Sequence, residues 1–378
     1  MASTYKISEA TRKRCKIFEL KPEDKAKFKS ISLELFHYLY ETKNVDFSIY
    51  FKVENTMIEY ITPGDFSHEL VGNILKSRNK EYGNLDICLA VNEAERFDVI
   101  IENIRNKKIH KLLQKDPHLD QQTLKLFSNL SSASQMVVKG GIDVKVASFA
   151  KETAHQMIDG LMESEVAIGT LSRMVLADPT LYDHSATVAM IAGVISKKLL
   201  KKNDEFSERV ALSGLYHDVG KTCVPAHILN KPGSFTAEEF EVMKTHTTLG
   251  YEELLKAIQE GAPIDDEVAL VAHQHHEKFC GGGYPNNRQG RLEEQENGIH
   301  EFARIVTIAD VYSALLMKRV YKEAYEQDKA LSIMRKAAEQ SYDPIIFQLF
   351  DEDVSKAIAK YGSWDEEQKD KGRIILID

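Results

Sequence analysis

Histidine and aspartate residues occur in adjacent pairs in the second half of this 378-residue chain. His275 and His276 are neighbours, and His217 is followed directly by Asp218. Such pairs are typical of metal sites, because imidazole nitrogens and carboxylate oxygens are common ligands of divalent ions. Since eight of the 13 histidines lie between residues 184 and 300, we expect this part of the chain to carry the chemistry.

Helical periodicity places these residues on buried faces. His184 begins a predicted helix whose apolar side includes Val188. The next predicted helix ends at His217, and Gly220 is its candidate C-cap. Asp310 lies in an apolar helix, where a carboxylate has to be paired or bound to a cation. The candidate ligands are His184, His217, Asp218, His246, His275, His276 and Asp310. These side chains exceed what one ion with an open position uses, so the sequence predicts two divalent ions that share a carboxylate.

The candidate ligands supply nitrogen and oxygen but no sulfur. This set favours iron or manganese, with zinc, nickel or magnesium as alternatives, over a structural zinc site built from cysteines. The four cysteines are scattered without CxxC spacing, as expected in a reducing cytoplasm. We expect no membrane span, since no apolar run approaches about 20 residues. We expect no binding to DNA either, since the net charge is −9.

The patterns predict a multi-domain chain, with a small α/β domain followed by an all-α helical bundle. We divide it into a regulatory or dimerisation domain (1–115), a helical connector (116–176), a catalytic domain (177–361) and a charged C-terminal tail (362–378). In the first domain, a strand over 46–53 continues through 57–61, a helix follows around Leu70 and Ile74, and a strand covers 85–91. The connector is helical, with interruptions at Ser131-Ser132 and at Gly140-Gly141. Further helices are expected at 184–201, 205–217, 236–256, 264–277, 302–318, 328–340 and 344–361.

An ordered series of motifs in the predicted catalytic domain resembles the HD-GYP domain, a branch of the HD phosphohydrolases that cleaves cyclic di-GMP. The series covers nearly half of the chain, from about Ala177 to Asp353. Its motifs are His-Asp-Val-Gly-Lys at 217–221, Met-Lys-Thr-His at 243–246, His-His-Glu at 275–277, Gly-Gly-Tyr-Pro at 282–285 and Ile-Ala-Asp-Val-Tyr at 308–312. A lone His-Asp pair is a weak signal, whereas this ordered series is highly specific.

The resemblance implies roles for individual residues. One metal ion would be held by His184, His217, Asp218 and Asp310, and the second by His246, His275 and His276, with Asp218 bridging. Contacts with the cyclic dinucleotide would come from Gly283, Tyr284, Arg319 and Lys322. Some family members hold a third metal through a glutamate where this chain has Thr180, so two ions are expected here, unless Asp178 or Asp183 substitutes.

The expected reaction is hydrolysis of cyclic di-GMP to pGpG, and the sequence leaves open whether pGpG is cleaved further to GMP. Two divalent ions would bind phosphate oxygens and lower the pKa of a shared water, whose hydroxide attacks phosphorus in line. Asp218 and Lys221 are the expected catalytic residues. The resemblance implies that Lys221 lies beside the scissile phosphate, and Lys221 or an acid near it is the candidate donor to the leaving oxygen. Tyr284 would stack or donate to a phosphate, and Arg319 and Lys322 would supply positive charge.

Departures from the family pattern keep other functions open. Cys280 and Ser313 stand where the family usually has aspartate, Val320 replaces a proline, and the loop over 285–303 is long and acidic in its middle. One alternative is an HD-type hydrolase of another cyclic dinucleotide or of a nucleotide phosphate. The other is a non-catalytic sensor or scaffold that binds a cyclic dinucleotide or a partner signalling protein such as a cyclase. We expect the protein to be a homodimer whichever of these functions it has.

Overall fold

The structure is a computed structural model. It describes residues 14–31, 39, 42, 44–53, 55–66, 86–115, 121–161, 183–229, 231, 233–290, 298–316 and 325–361. The chain forms two compact units, one of Met1–His110 with Asn230–Ser234 and the other of Lys111–Leu229 with Phe235–Asp378. The helix predicted around Leu70 and Ile74 and the charged tail over 362–378 lie outside the described residues. The four-part division of the chain stays a prediction.

The first unit contains a five-stranded antiparallel sheet. Its strands are β1 (Lys16–Glu19), β2 (Phe28–Ile31), β3 (Ile49–Val53), β4 (Thr56–Ile61) and β5 (Asp86–Ala90), in the order β1-β4-β3-β5-β2. Helix α1 (Ala94–Lys115) follows β5. Phe47, Ile49, Leu89 and Phe97 are fully buried in one apolar cluster, so the sheet and the start of α1 share a core. The small α/β region predicted from the sequence is thus confirmed.

The prediction that one strand runs from 46–53 on through 57–61 is wrong. β3 and β4 form an antiparallel hairpin in which Val53 pairs with Thr56, so the chain reverses between these two residues. Asn55 lies in the turn, but the Asn-Gly or Asp-Gly pair that usually marks a two-residue hairpin is missing here. The alternating pattern on both sides therefore gave no sign of the reversal.

The second unit is all-helical in its described residues, which confirms the predicted bundle. Its helices are α2 (Gln121–Gly140), α3 (Val144–Leu161), α4 (His184–Val194), α5 (Asp204–Tyr216), α6 (Ala226–Leu229), α7 (Ala237–Lys244), α8 (His246–Gln259), α9 (Asp266–Gln274), α10 (Glu301–Leu316), α11 (Gln327–Ser341) and α12 (Pro344–Tyr361). A π-helical turn, Ile195–Leu199, extends α4, and a short 3₁₀ turn, Val219–Cys223, follows α5.

One of the two interruptions predicted in the connector is present. The chain leaves α2 at Gly140-Gly141, where Gly141 has a φ of 75°. The interruption predicted at Ser131-Ser132 is wrong, because both serines lie inside α2. The hydroxyl of Ser132 donates to the carbonyl of Ser128 at 3.0 Å, which satisfies its polar group without leaving the helix.

The helix predicted over 236–256 is divided in two at Thr245. The hydroxyl of Thr245 donates to the carbonyl of Val242 at 2.7 Å. Nδ1 of His246 lies 2.6 Å from the carbonyl of Met243. These side chains compete with backbone N–H groups for the carbonyls that would continue the helix. The single long helix is therefore wrong, and the break places His246 at the first position of α8.

Close packing of α4 against α5 sets the frame of the bundle. A β-carbon at position 214 of α5 would lie 2.9 Å from the backbone of Ala189 in α4, so only glycine permits this approach. Asp183 caps the start of α4 and Asn203 the start of α5, each through its side-chain oxygen. The packing fixes the position of His184, at the start of α4, relative to His217, which follows α5.

Candidate metal centre

The structure brings all of the predicted metal ligands together. Three overlapping groups have ligand atoms within 4.8 Å of one another: Asp218 with His246, His275 and His276; His184 with His217 and Asp218; and His217 with His275 and Asp310. The side chains come from the start of α4, the end of α5, the start of α8, the end of α9 and the middle of α10. Residues far apart in sequence thus converge at the helix ends.

Asp218 faces a different set of histidines with each of its carboxylate oxygens. Oδ2 lies 3.2 Å from Nε2 of His217 and 3.7 Å from Nε2 of His184. Oδ1 lies 3.4 Å from Nε2 of His246 and 3.7 Å from Nε2 of His275. This is the arrangement that a carboxylate needs in order to bridge two ions.

Asp310 completes the group on the His184 side. Its Oδ1 lies 3.1 Å from Nε2 of His184 and 3.8 Å from Nε2 of His217. The residue is only 8% exposed in the apolar helix α10. The sequence argument that this carboxylate must be paired or ligating is in accord with these contacts.

Three of the histidines are oriented by backbone carbonyls at helix ends. Nδ1 of His217 lies 2.7 Å from the carbonyl of Gly214, and Nδ1 of His275 lies 3.0 Å from that of Ala272. Nδ1 of His246 likewise lies 2.6 Å from the carbonyl of Met243. A carbonyl only accepts, so each Nδ1 carries the proton, and in the neutral imidazole that binds metal each Nε2 presents a lone pair to the cluster. The carbonyls are available because the last turn of a helix leaves them without intrahelical partners.

This arrangement fits a bound cation. Nε2 of His246 and Nε2 of His275 approach within 3.4 Å, although both are acceptors in these tautomers. Among the described residues, Nε2 of His217 and Oδ1 of Asp218 are buried and make no hydrogen bond. Facing lone pairs and unsatisfied buried acceptors are costly unless a positive charge lies between them. The cluster is therefore able to hold metal ions.

Burial sets the protonation of the histidines. It lowers the pKa of His246 to about 4 and, together with the charge of His275, lowers the pKa of His276 well below its ordinary value. Burial acts in the same direction on the pKa of His217, but the charge of Asp218 outweighs it and raises that pKa. His246 and His276 are thus neutral at pH 7, which is the form that binds metal.

Both aspartates stay ionised in spite of burial. Burial acts to raise the pKa of Asp218, but the charges of His217 and Lys221 hold it well below its ordinary value. Burial acts likewise on the pKa of Asp310, and the hydrogen bond from His184 lowers it far more. Two buried carboxylates in their charged form attract a divalent cation.

Lys221 contacts the carboxylate expected to bridge the ions. Its ammonium pairs with Oδ2 of Asp218, three residues earlier, and its side chain is 35% exposed. One face of the lysine therefore meets the cluster while the other meets solvent. A cationic group in this position can act on an anionic ligand that enters from outside.

Family comparison identifies the domain that carries this cluster. Residues 170–346 match the family model described as HD domain. The chain contains an HD domain. The matched residues include all seven predicted metal ligands, from His184 on α4 to Asp310 on α10.

Curated and solved relatives of the HD domain agree with the resemblance expected from the sequence. A cyclic di-GMP phosphodiesterase response regulator of Xanthomonas campestris is 37% identical over 158 residues, 41% of this chain and 38% of that protein. A 3′3′-cGAMP-specific phosphodiesterase of Vibrio cholerae is 34% identical over 143 residues, 38% of this chain and 26% of that protein. The chain thus spans well under half the length of these relatives. The solved structure of an HDG"Y"P protein from Bdellovibrio bacteriovorus shares the fold, with a TM-score of 0.54 at 17% identity, covering 87% of this chain and 99% of that one.

Close packing at Gly220 positions His246, one of the predicted metal ligands of the HD domain. A β-carbon at Gly220 would lie 2.0 Å from the carbonyl oxygen of His246 and 2.4 Å from the backbone N of Gly250. The sequence suggested that Gly220 caps α5, and this is wrong. α5 ends at Tyr216, and Gly220 lies in the following 3₁₀ turn. It instead allows the turn that carries Asp218 to touch α8.

Glu277 anchors the glycine-rich turn. It is 2% exposed and accepts hydrogen bonds from the backbone N–H groups of Asn286 at 2.7 Å and Arg288 at 2.9 Å. The turn is also tied at Tyr284, whose N–H donates to the carbonyl of His276 at 3.2 Å. Sequence reasoning missed this role, although a glutamate directly after two buried histidines is itself a sign of a buried polar contact.

Tyr284, which is predicted to contact the substrate, lies against the cluster. Its ring packs on that of His276 with a centroid separation of 4.7 Å. Burial raises its pKa above the ordinary value, so the phenol stays protonated and can donate a hydrogen bond. Gly283 meets protein rather than open space, since a β-carbon there would lie 2.5 Å from Cα of Glu277.

Other residues named from the sequence fall outside the described part of the chain. Arg319, Lys322, Val320, Thr180 and Asp178 belong to this group, as does the middle of the long acidic loop, 291–297. Asp183 is described, and both of its oxygens are engaged: Oδ1 accepts from the N–H of Ala186 and Oδ2 from the hydroxyl of Ser131. These bonds leave it poorly placed to replace the glutamate of a third metal site.

No helix in the described part of the chain combines the length and the apolar character needed to cross a bilayer. All four cysteines are free thiols, with Cys223 and Cys280 exposed.

Proposed function

We propose that the HD domain is a metal-dependent phosphodiesterase that hydrolyses cyclic di-GMP to pGpG and onward to GMP. The observation that carries this proposal is Asp218, whose two oxygens face two groups of histidines. The similarity to a protein named as a cyclic di-GMP phosphodiesterase supports it. The HD-GYP type of the domain is supported by the motif series and by the position of Tyr284 beside His276.

The residues fit a pair of divalent ions. His184, His217 and Asp310 would hold one, His246, His275 and His276 the other, and Asp218 would bridge them. Such ions, when bound, supply positive charge to the phosphate and acidify a water that can serve as nucleophile. Iron or manganese suits this nitrogen and oxygen set best, with zinc, nickel or magnesium as alternatives.

Residues of the chain would orient the substrate and handle protons. The protonated Tyr284 phenol donates a hydrogen bond to a phosphate oxygen. The Lys221 ammonium, held at the cluster by Asp218, stabilises the negative charge that develops on the leaving oxygen and donates a proton to it. Arg319 and Lys322 add positive charge around the dianionic substrate.

A second candidate substrate is another cyclic dinucleotide. The similarity to a protein named as a 3′3′-cGAMP-specific phosphodiesterase favours it. Cys280, which departs from the aspartate expected from the resemblance, gives the glycine-rich turn a neutral side chain. The third candidate is a sensor or scaffold that binds the nucleotide, or a partner such as a cyclase, without turnover. The full set of converging ligands supports catalysis over this role.

The N-terminal unit is proposed as a regulatory or dimerising module of a cytoplasmic homodimer. Among the residues that the structure describes, β1 and β2 are the edge strands of its antiparallel sheet, and edge strands are common sites of association. Free cysteines are consistent with a reducing compartment.

A nucleotide panel tests the proposal. Protein loaded anaerobically with iron or manganese would be assayed with cyclic di-GMP, 3′3′-cGAMP, cyclic di-AMP and pGpG, with products separated by chromatography. We expect cyclic di-GMP to have the highest kcat/KM. A preference for 3′3′-cGAMP would move the proposal to the second substrate, and binding without any turnover would support the sensor.

A further inference from the structure

Phe240 and Lys244 lie one helical turn apart on α7, at the edge of the candidate metal centre. Phe240 is a large apolar side chain that remains 43% exposed. The packing of α7 rests on Met243, which is buried in a cluster with Val224 and Ile228. The position of the Phe240 ring is therefore set by its contacts toward the metal centre rather than by this core.

Phe240 is the outer member of a row of rings that begins at a predicted metal ligand. The ring of Tyr284 lies 4.7 Å from that of His276, at an interplanar angle of 30°. The ring of Phe240 lies 6.2 Å from that of Tyr284, edge to face at 80°. An aromatic wall thus leads from the metal ligands to solvent, with its last ring partly open.

Lys244 adds a positive charge to this wall. Its Nζ lies 5.0 Å from the centroid of Phe240 and 5.7 Å from that of Tyr284. The ammonium also lies 2.7 Å from Oε1 of Glu241, whose side chain is 69% exposed. An ion pair with a solvent-exposed carboxylate contributes little to stability. Lys244 can therefore exchange Glu241 for a phosphate of the ligand with little loss of stability.

We propose that Phe240, Lys244 and Tyr284 form a nucleotide subsite in which Phe240 stacks on one nucleobase of a cyclic dinucleotide and Lys244 binds the phosphate that is not being cleaved. This inference rests on the proposed function, since it places the other phosphate at the metal centre. Each base has a π face that stacks on aromatic side chains, and an ammonium binds phosphate as a point charge. A cyclic dinucleotide presents both groups close to its scissile phosphate.

The chemistry of the subsite limits what it can distinguish. A phenylalanine ring offers no hydrogen-bond donor or acceptor, so stacking on it tolerates guanine and adenine alike. Phe240 therefore contributes to the affinity for cyclic dinucleotides as a class and not to the choice among them. Removing the ring should affect cyclic di-GMP and 3′3′-cGAMP by similar factors.

Steady-state hydrolysis by the metal-loaded protein tests the stacking role. Phe240→Ala should raise KM about tenfold for both cyclic dinucleotides, with kcat changed less than about twofold and metal content unchanged. Phe240→Trp should restore a low KM. The matched control is Phe149→Ala, since Phe149 on α3 is 40% exposed and should leave KM unchanged. An unchanged KM in Phe240→Ala would overturn the subsite, as would an equal rise in Phe149→Ala.

A parallel pair of variants tests the phosphate role. Lys244→Gln should raise KM several-fold and weaken the dependence of KM on salt, because a charge contact with phosphate is screened by ions. Lys256→Gln, at an exposed position on α8, is the control and should keep the wild-type salt dependence. Identical salt dependence in wild type and Lys244→Gln would contradict the assignment of Lys244.

Fluorescence gives a readout that does not need turnover. The sequence has a single tryptophan, Trp364, so Phe240→Trp in a Trp364→Phe background reports on the subsite alone. The phosphorothioate analogue of cyclic di-GMP should quench this tryptophan on titration. Quenching without hydrolysis by the wild type would uphold the subsite and reject the proposed enzyme. Hydrolysis by the wild type, together with no quenching and a normal KM in Phe240→Ala, would uphold the proposed enzyme and reject the subsite.

Discussion

Ser313 lies 3.1 Å, through its Oγ, from Nδ1 of His184. The other nitrogen of this imidazole, Nε2, lies 3.1 Å from Oδ1 of Asp310. Ser313 is fully buried in α10. Its hydroxyl therefore orients the imidazole of His184 toward the cluster, as partners of metal-binding histidines generally do.

Removal of this hydroxyl should weaken metal binding. Ser313→Ala leaves His184 without its Nδ1 contact to Ser313, so we expect the metal ion on the His184 side to bind about tenfold more weakly. Competition with a chelator, followed by metal analysis, measures the change. Ser196→Ala is the control, since Ser196 is equally buried and donates only to Gly193 within its own helix segment. Equal metal affinity in Ser313→Ala and wild type would refute this role.

A methyl group at Gly220 should disturb the metal centre through the backbone. In Gly220→Ala the new β-carbon would meet the carbonyl of His246 at 2.0 Å, and neither backbone can yield easily. We expect the free energy of unfolding to fall by about 1–3 kcal/mol and metal content to drop. Thermal denaturation with metal analysis measures both.

Gly261→Ala separates this steric effect from the general cost of replacing glycine. Gly261 has a φ of 95°, which strains an alanine, but its β-carbon would meet nothing closer than 4.0 Å. This variant should lose some stability and keep its metal. If both variants retain full metal content, the Gly220 contact does not position the ligands.

The burial of His246 predicts a pH dependence for the metal-free protein. Its pKa is about 4 in the folded state and near 6.5 in the unfolded chain, so between these values the unfolded state binds more protons. The free energy of unfolding should therefore fall as pH drops from about 6.5 toward 4. His217, whose pKa is raised, acts in the opposite direction, so the wild type must be compared with a variant.

Urea denaturation in the presence of a chelator measures this effect. His246→Gln lacks the titrating group, so its free energy of unfolding should fall less steeply with decreasing pH than that of the wild type. The difference in slope reaches at most about 1.4 kcal/mol per pH unit, the limit for one proton. Parallel curves for the two proteins would show that His246 is not kept neutral by the fold.

Lys221 should matter for turnover more than for metal binding. In Lys221→Gln the charge near the leaving oxygen is lost, while the imidazole and carboxylate ligands remain. We expect kcat to fall about 100-fold or more, as is typical when a general acid is removed, with metal content near that of the wild type. Lys197→Gln serves as control, because Lys197 pairs with Asp204, away from the ligands. A kcat within threefold of wild type would exclude Lys221 from the reaction.

The candidate ligands could be predicted from the sequence because adjacent pairs and helical periodicity both survive in a one-dimensional pattern. His217-Asp218 and His275-His276 are visible as dipeptides, and the apolar residues around Asp310 reveal its burial. The all-helical bundle follows from the same periodicity, and the structure confirms it.

What the sequence could not reveal depends on contacts between distant residues. The approach of Gly220 to Gly250 and the bond between Ser313 and His184 join separate helices, so no local pattern reports them. The break at Thr245 arises because side chains capture helix carbonyls, which propensity alone does not predict. The position of Phe240 beside Tyr284 likewise depends on how α7 meets the glycine-rich turn.

Metal titration coupled to hydrolysis tests the central claim most directly. Metal-free protein would be titrated anaerobically with iron or manganese while cyclic di-GMP cleavage is followed, beside His217→Ala and Asp218→Ala. We predict that activity reaches its maximum at two ions per chain and is absent in both variants, because His217 would hold one ion and Asp218 would bind both. Full cleavage at one ion per chain, or cleavage that persists in Asp218→Ala, would contradict the account.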